Sequence, residues 1–221
     1  MKKKILSVGD PKFNECKGRV VIERDHFPPN PMKDYDQVFL VWSNIPDEMS
    51  GSPGAEDPRK IKDDTLVKFP VKALIHSGVW LKLGDGGFAE DPGGWDTTTN
   101  ALVMYTTKER FEKMCGTWRT ITDDAEWNAY LRSIAEDELK LIQKYLDGDC
   151  YGYGAEEAVK FVKKYEDGRE ENGVEWKDGD SCGGYYVDEA DDIDFPRVPD
   201  WEVFDRTGEF VGQEYDIPVP A

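Results

Sequence analysis

Histidine is almost missing from this chain, with only His26 and His76 in 221 residues, and the four cysteines (Cys16, Cys115, Cys150, Cys182) stand far apart with no C-x-x-C pair. A zinc site of ordinary Cys/His spacing is therefore excluded, and no cofactor is expected. There is no run of 18 apolar residues, so no membrane-spanning helix is expected. The N-terminal "MKKKILSVGDP" is basic, but its apolar stretch is short and no A-x-A-like site follows, so it does not read as a signal peptide. With scattered thiols, this points to a reducing cytoplasm. The G-x-S-x-G elbow, the G-x-x-x-x-G-K-[ST] phosphate loop and a post-strand G-x-G-x-x-G are all absent.

Basic residues are also scarce. Against 46 acids stand 28 Lys and Arg, for a net charge of -18. Such a field repels nucleic acid and anionic membranes, which excludes direct nucleic-acid binding. It attracts basic protein surfaces over a Debye length of about 8 Å at physiological salt.

What the chain has in quantity is core-forming residues: 38% hydrophobic and 12% aromatic, too many for a disordered protein. The length fits one large domain or two small ones. The reading favours a single domain over 1–187 with an acidic, proline-containing strap or tail over 188–221.

"GRVVIER" (Gly18 to Arg24) and "DQVFLVWS" (Asp36 to Ser43) read as strands, and their imperfect alternation implies burial on both faces. Residues 45–64 form a long polar loop. "TLVKFPVKALIHSGVWLKLG" (Thr65 to Gly84) is β-rich, with breaks expected at Pro70 and Gly78. "NALVMYTT" (Asn100 to Thr107) is a strand, and "TKERFEKMCG" a short helix capped by Thr107 and ended by Gly116. A long helix follows from Asp123 to Gly148, with Trp127, Leu131, Ile134, Leu141 and Tyr145 forming its apolar stripe. "CYGYG" and "AVKFVKKYEDG" read as strand, and "EDGREENGVEWKDGDSCGGYYV" as the return of a hairpin-like ribbon. The expected class is α+β: a mostly antiparallel sheet with one long packed helix and an irregular acidic C-terminal segment.

Four groups could carry chemistry. "DGDSCGGYYVDE", Asp178 to Glu189, follows the skeleton of a calcium loop, with acids at positions 1 and 3, glycine at 6 and glutamate at 12, although Cys182 at position 5 suits a hard cation poorly. Cys150 or Cys182 could be a nucleophile, but neighbouring aspartates disfavour the thiolate, and a small buried hydrophobe is the plainer role. His76 and Ser77 precede Asp85, Asp91 and Asp96, yet adjacent strand residues point to opposite faces and cannot form the usual Ser–His hydrogen bond. The fourth group is charge. From Asp178 to Ala221 there are thirteen acids against Arg197 and Arg206, interspersed with Trp201, Phe204, Phe210 and Tyr215. A solvated tail has no use for aromatics, so an ordered surface is expected, with Asp188, Glu189, Asp191, Asp192, Asp194, Asp200, Trp201, Glu202 and Asp205 as partner-binding residues.

The motifs "PVKALIHSGV", "GGWDTTTNALVMYTT", "YLDGDCYGY" and "DSCGGYY", in that order with a long helix before the third, resemble a family of small acidic proteins of bacteriophages and prophages that have no established activity. The resemblance spans about Pro70 to Tyr186 and implies origin, not mechanism; the N-terminal region and the acidic C-terminal region are extra. Together with the charge, it makes the leading expectation an inhibitor of a host nucleic-acid-binding defence complex, of anti-CRISPR or anti-restriction type. Such a protein would act in the host cytoplasm by offering a DNA-mimicking acidic surface to a basic groove. The alternatives are a small hydrolase or metal-dependent enzyme using His76 with Asp91 or Asp96, and a structural virion component.

Overall fold

The computed structural model describes residues 5–7, 9–46, 49–119, 121–188, 192–193 and 201–207. In chain order the elements are β1 (Ile5–Ser7), α1 (Lys12–Glu15), β2 (Gly18–Arg24), α2 (Pro31–Asp34), β3 (Leu40–Ser43), β4 (Val67–Ile75), β5 (Val79–Leu83), β6 (Thr97–Thr106), α3 (Lys108–Cys115), α4 (Asp124–Asp147), β7 (Tyr151–Lys164), β8 (Glu170–Tyr185) and β9 (Glu202–Asp205). The class is α+β with mostly antiparallel sheets. The chain forms two compact units: one of residues 1–28 and 150–221, the other of residues 29–149. This differs from the single domain expected over 1–187, because the first unit is assembled from the two ends of the chain.

In the discontinuous unit the sheet order is β1-β9-β2-β7-β8. β9 runs parallel to both β1 and β2 and lies between them, whereas β2/β7 and β7/β8 are antiparallel. β2 is buried along its first five residues, as its two-faced apolar pattern predicts. One face packs Val20, Ile22, Tyr153, Ala155 and Val203 with Ile193. On the other, Phe13 of α1 meets Phe204 edge to face at 5.0 Å. The expectation that everything after residue 187 is a strap or tail is thus corrected for β9, since Val203 and Phe204 are core residues of the sheet.

The continuous unit holds the antiparallel sheet β3-β6-β4-β5. Asp123 caps α4 by accepting the N–H groups of Ala125 and Glu126, and Gly148 ends it in the left-handed region at φ 72°. The helix buries Trp127, Leu131, Ala135, Leu139 and Ile142 in the same core cluster as Val41, Val71, Leu102 and Met104. Thr107 and Gly116 bound α3 as expected. Pro70 does not break β4. Its carbonyl accepts from Gly84 N–H, so its missing donor faces the side where β5 pairing has already ended at Val71 and Leu83. Gly78 does sit at the break, in the turn between β4 and β5.

β3 is four residues shorter at its start than the apolar run from Asp36. The Glu138 carboxylate of α4 accepts the N–H groups of Val38 (2.5 Å) and Phe39 (3.0 Å), while Arg110 of α3 donates to the carbonyls of Val38 (3.0 Å) and Gln37 (2.5 Å). Side chains have taken the backbone groups that a longer strand would need.

Candidate functional site

The proposed binding residues divide three ways. Asp188 and Asp192 are exposed. Glu189, Asp191, Asp194 and Asp200 lie outside the described residues. Glu202 and Asp205 belong to β9, and Trp201 immediately precedes it. The Trp201 indole lies on Gly18 so closely that a Cβ there would not fit, Glu202 pairs with Lys12 at 3.3 Å, and Asp205 accepts the Thr207 N–H at 2.8 Å. Phe204 is a core residue, and the Trp201 indole packs on Gly18 while remaining partly exposed.

The structure brings His76 and Asp96 together at 3.4 Å, but both side chains are mostly exposed. Asp91 instead organises the glycine loop. Its carboxylate accepts from Trp95 N–H, Asp96 N–H and the Thr97 hydroxyl, and these bonds hold its pKa below the usual carboxylate value. Among the described residues, the ion-pair partner of His76 is Asp96 and not Asp91.

The Asp178–Glu189 stretch is not a wrapped loop over its first eight residues. They belong to β8, paired with β7 through Glu156↔Asp178 and Tyr153↔Cys182, and extended backbone cannot fold its ligands around one ion. Among the described residues no group of three His, Cys, Asp or Glu is arranged to hold a metal. Cys150 is fully buried and its thiol is pushed up by desolvation, whereas Cys182 is exposed, so the buried-hydrophobe role fits only the former. Of the glycines beside Cys182, Gly183 serves close packing, since a Cβ there would meet the Asp25 carboxylate that accepts the Gly184 N–H at 2.9 Å, and across the pair Gly152 leaves room for the Cys182 carbonyl.

What sequence reading missed is the distribution of charge on the β7–β8 hairpin. β2 pairs with β7 only up to Glu157, so residues 158–176 form a two-stranded arm. Lysines collect on its first strand (Lys160, Lys163, Lys164). Carboxylates collect on its second (Glu170, Glu171, Glu175) and continue as Asp178 and Asp180 toward the sheet, with Lys177 the sole basic residue of β8. All five of these acids are exposed. Lys164 meets Glu170 at 2.9 Å, and the Tyr165 hydroxyl donates to Glu171 at 2.5 Å. Phe161 covers Gly173 across the pair, while Val162 and Val174 remain 59% and 49% exposed. An open depression of about 550 Å³ is lined by Phe161, Val162, Lys163, Glu171, Val174 and Glu175. The signal is present in the sequence as a basic strand followed by an acidic one, but an acidic block counted from Asp178 onward leaves out Glu170, Glu171 and Glu175 and groups Asp178 and Asp180 with the C-terminal segment.

No protein-family model, curated protein or solved structure matches the chain. Among the described residues, no helix is long and apolar enough to cross a membrane.

Proposed function

We propose that this chain is a phage-derived binding protein that inhibits a host nucleic-acid-binding defence complex, of the anti-CRISPR or anti-restriction kind, by placing acidic surface in a basic groove in the host cytoplasm. In this reading an α+β scaffold with one long packed helix carries two acidic features, β8 and the irregular C-terminal segment. The carrying observation is the row of exposed carboxylates on β8. From Glu170 to Asp180 the strand rises ~34 Å and carries five of them divided between its two faces, which even when both faces are counted is about half the linear charge of one DNA strand, with its phosphate every ~3.4 Å. That density supports competition for a basic groove better than it supports strand-for-strand imitation. The net charge of -18 adds long-range attraction to the same kind of target.

The test is plating of a targeted phage on bacteria that carry a restriction or CRISPR system and express the chain. Wild type should raise plating, and the rise should be lost on charge reversal of Glu171, Glu175, Asp178 and Asp180, or of Asp188, Asp191, Asp192 and Asp194. Plating unaffected by the wild-type chain, or equally raised by both reversed variants, would sink the reading. Stable co-purification with phage particles in place of host protein would favour the virion component. Hydrolysis that depends on His76 and Asp96 would favour the enzyme.

A further inference from the structure

β8 is a sixteen-residue strand at the end of its sheet, and among the described residues no strand pairs with its outer edge. Two hydrogen bonds fix which of its backbone groups face outward. Tyr165 N–H donates to the Arg169 carbonyl at 2.9 Å, making that pair a hydrogen-bonded rung, and Ala158 N–H turns away from β8 to the Lys17 carbonyl at 3.0 Å. Rungs alternate in an antiparallel ladder, so Glu171, Gly173, Glu175 and Lys177 point their backbone groups at β7. Asn172, Val174 and Trp176 point theirs outward.

An exposed edge of this length invites another strand, and natural edges are guarded by charge, proline or bulges. The guard here has one sign. A second copy aligned along the same edge would set five carboxylates against five, which the single Lys177 cannot offset. A basic strand meets the opposite situation. Its side chains on one face would lie beside Glu171 and Glu175, on the other beside Glu170 and Asp178, with the exposed Val174 left for an apolar residue.

We propose that the outer edge of β8 is a strand-addition site that accepts an extended basic segment of a partner protein, main-chain hydrogen bonds supplying affinity and the carboxylates supplying selectivity. The proposal rests on the reading above that the partner is a basic protein, and it adds the mode of recognition.

The probe is a blocked peptide of about ten residues alternating Lys and Val, compared with one alternating Lys and Pro, which has equal charge but lacks half the backbone donors. The Lys-Val peptide should bind at least about tenfold more tightly and slow amide exchange at Asn172, Val174 and Trp176. V174P removes one outward N–H that β7 does not use, a change edge strands tolerate, and should abolish the preference for Lys-Val. Equal binding of the two peptides, or binding without protection of those amides, overturns the proposal; the peptide comparison on the wild-type chain decides the matter even if V174P fails to fold. The plating assay separates the two ideas. A folded V174P that still raises plating refutes the strand-addition site and leaves the defence reading standing, whereas Lys-Val selectivity in a chain that never raises plating refutes the defence reading alone.

Discussion

Arg19 and Glu156 face each other directly across β2 and β7, and the guanidinium Nε donates to the carboxylate at 2.5 Å with the arginine side chain only 7% exposed. The same guanidinium lies 3.8 Å from the ring centres of both Phe13 and Trp176 and donates through Nη1 to the Phe13 carbonyl at 2.7 Å. One side chain thus joins α1, β2, β7 and β8. It clamps the base of the arm to the sheet and engages the side chains of Glu156 and Trp176, leaving the outward backbone groups of Trp176 untouched.

Removing one member of this pair should cost far more than replacing both. R19M leaves Glu156 without its partner, at a cost of about 2–4 kcal/mol, held toward the lower end because Glu156 is 26% exposed and water reaches it. R19M combined with E156L should recover most of that loss, since a buried ion pair is often no better than a packed apolar one. Urea unfolding checks both; equal stability of R19M and wild type would contradict the clamp.

Gly18 and Trp201 offer a test of whether residue 201 belongs to the fold. G18A drives a methyl into the indole and should destabilise the protein by about 1–3 kcal/mol. In a W201A background the same change should cost much less, a coupling that a double-mutant cycle measures directly. Additive effects would leave Trp201 in the pool of partner anchors.

Glu138 gives the protein a pH-dependent element. Desolvation pushes its carboxyl up to about 7 from an ordinary 4.5, against the opposing pull of the Val38 and Phe39 N–H donors and of Arg110. The native state therefore holds a proton that the unfolded chain gives up. This group's contribution is full below about 4.5 and is lost as pH rises toward 7. The stability of wild type should fall through that window relative to E138Q, which cannot titrate and keeps one acceptor for the two amides. Parallel pH profiles for the two proteins would contradict the assignment.

At the end of α4, Gly148 holds φ at 72° while its N–H donates to the Tyr145 carbonyl at 3.2 Å. G148A should lower stability by about 1 kcal/mol in thermal or urea unfolding, because a Cβ is strained in the left-handed region. No change would mean that the helix end relaxes without cost.

Local signals read well. The Thr107 and Asp123 caps, the glycines at 116 and 148, and the strands Gly18–Arg24, Tyr151–Lys164 and Glu170–Tyr185 all follow from spacing and turn chemistry within a few residues of where they act. The stripe of α4 was read only in part: Trp127 and Leu131 are core, but so are Ala135, Leu139 and Ile142, which share the buried face with the half-buried Ile134. A stripe defines a face to within a residue or so, and the sheet packed against it decides which side chains are fully covered.

The sequence by itself determined the types of the longer elements, the limits of α3 and α4 and the excess of negative charge, because propensity, capping and composition depend on neighbours in the chain. Only the tertiary structure decided where that charge is displayed. Parallel pairing of Glu202–Asp205 between Ile5–Ser7 and Gly18–Arg24 joins segments nearly 200 residues apart, and no local pattern encodes such a contact. That pairing turns Val203 and Phe204 inward and Trp201 onto Gly18, whereas Glu170, Glu171, Glu175, Asp178 and Asp180 remain on a strand whose outer edge, among the described residues, no other strand covers. Composition measures how much charge a chain has, and long-range strand order determines which of it a partner can reach.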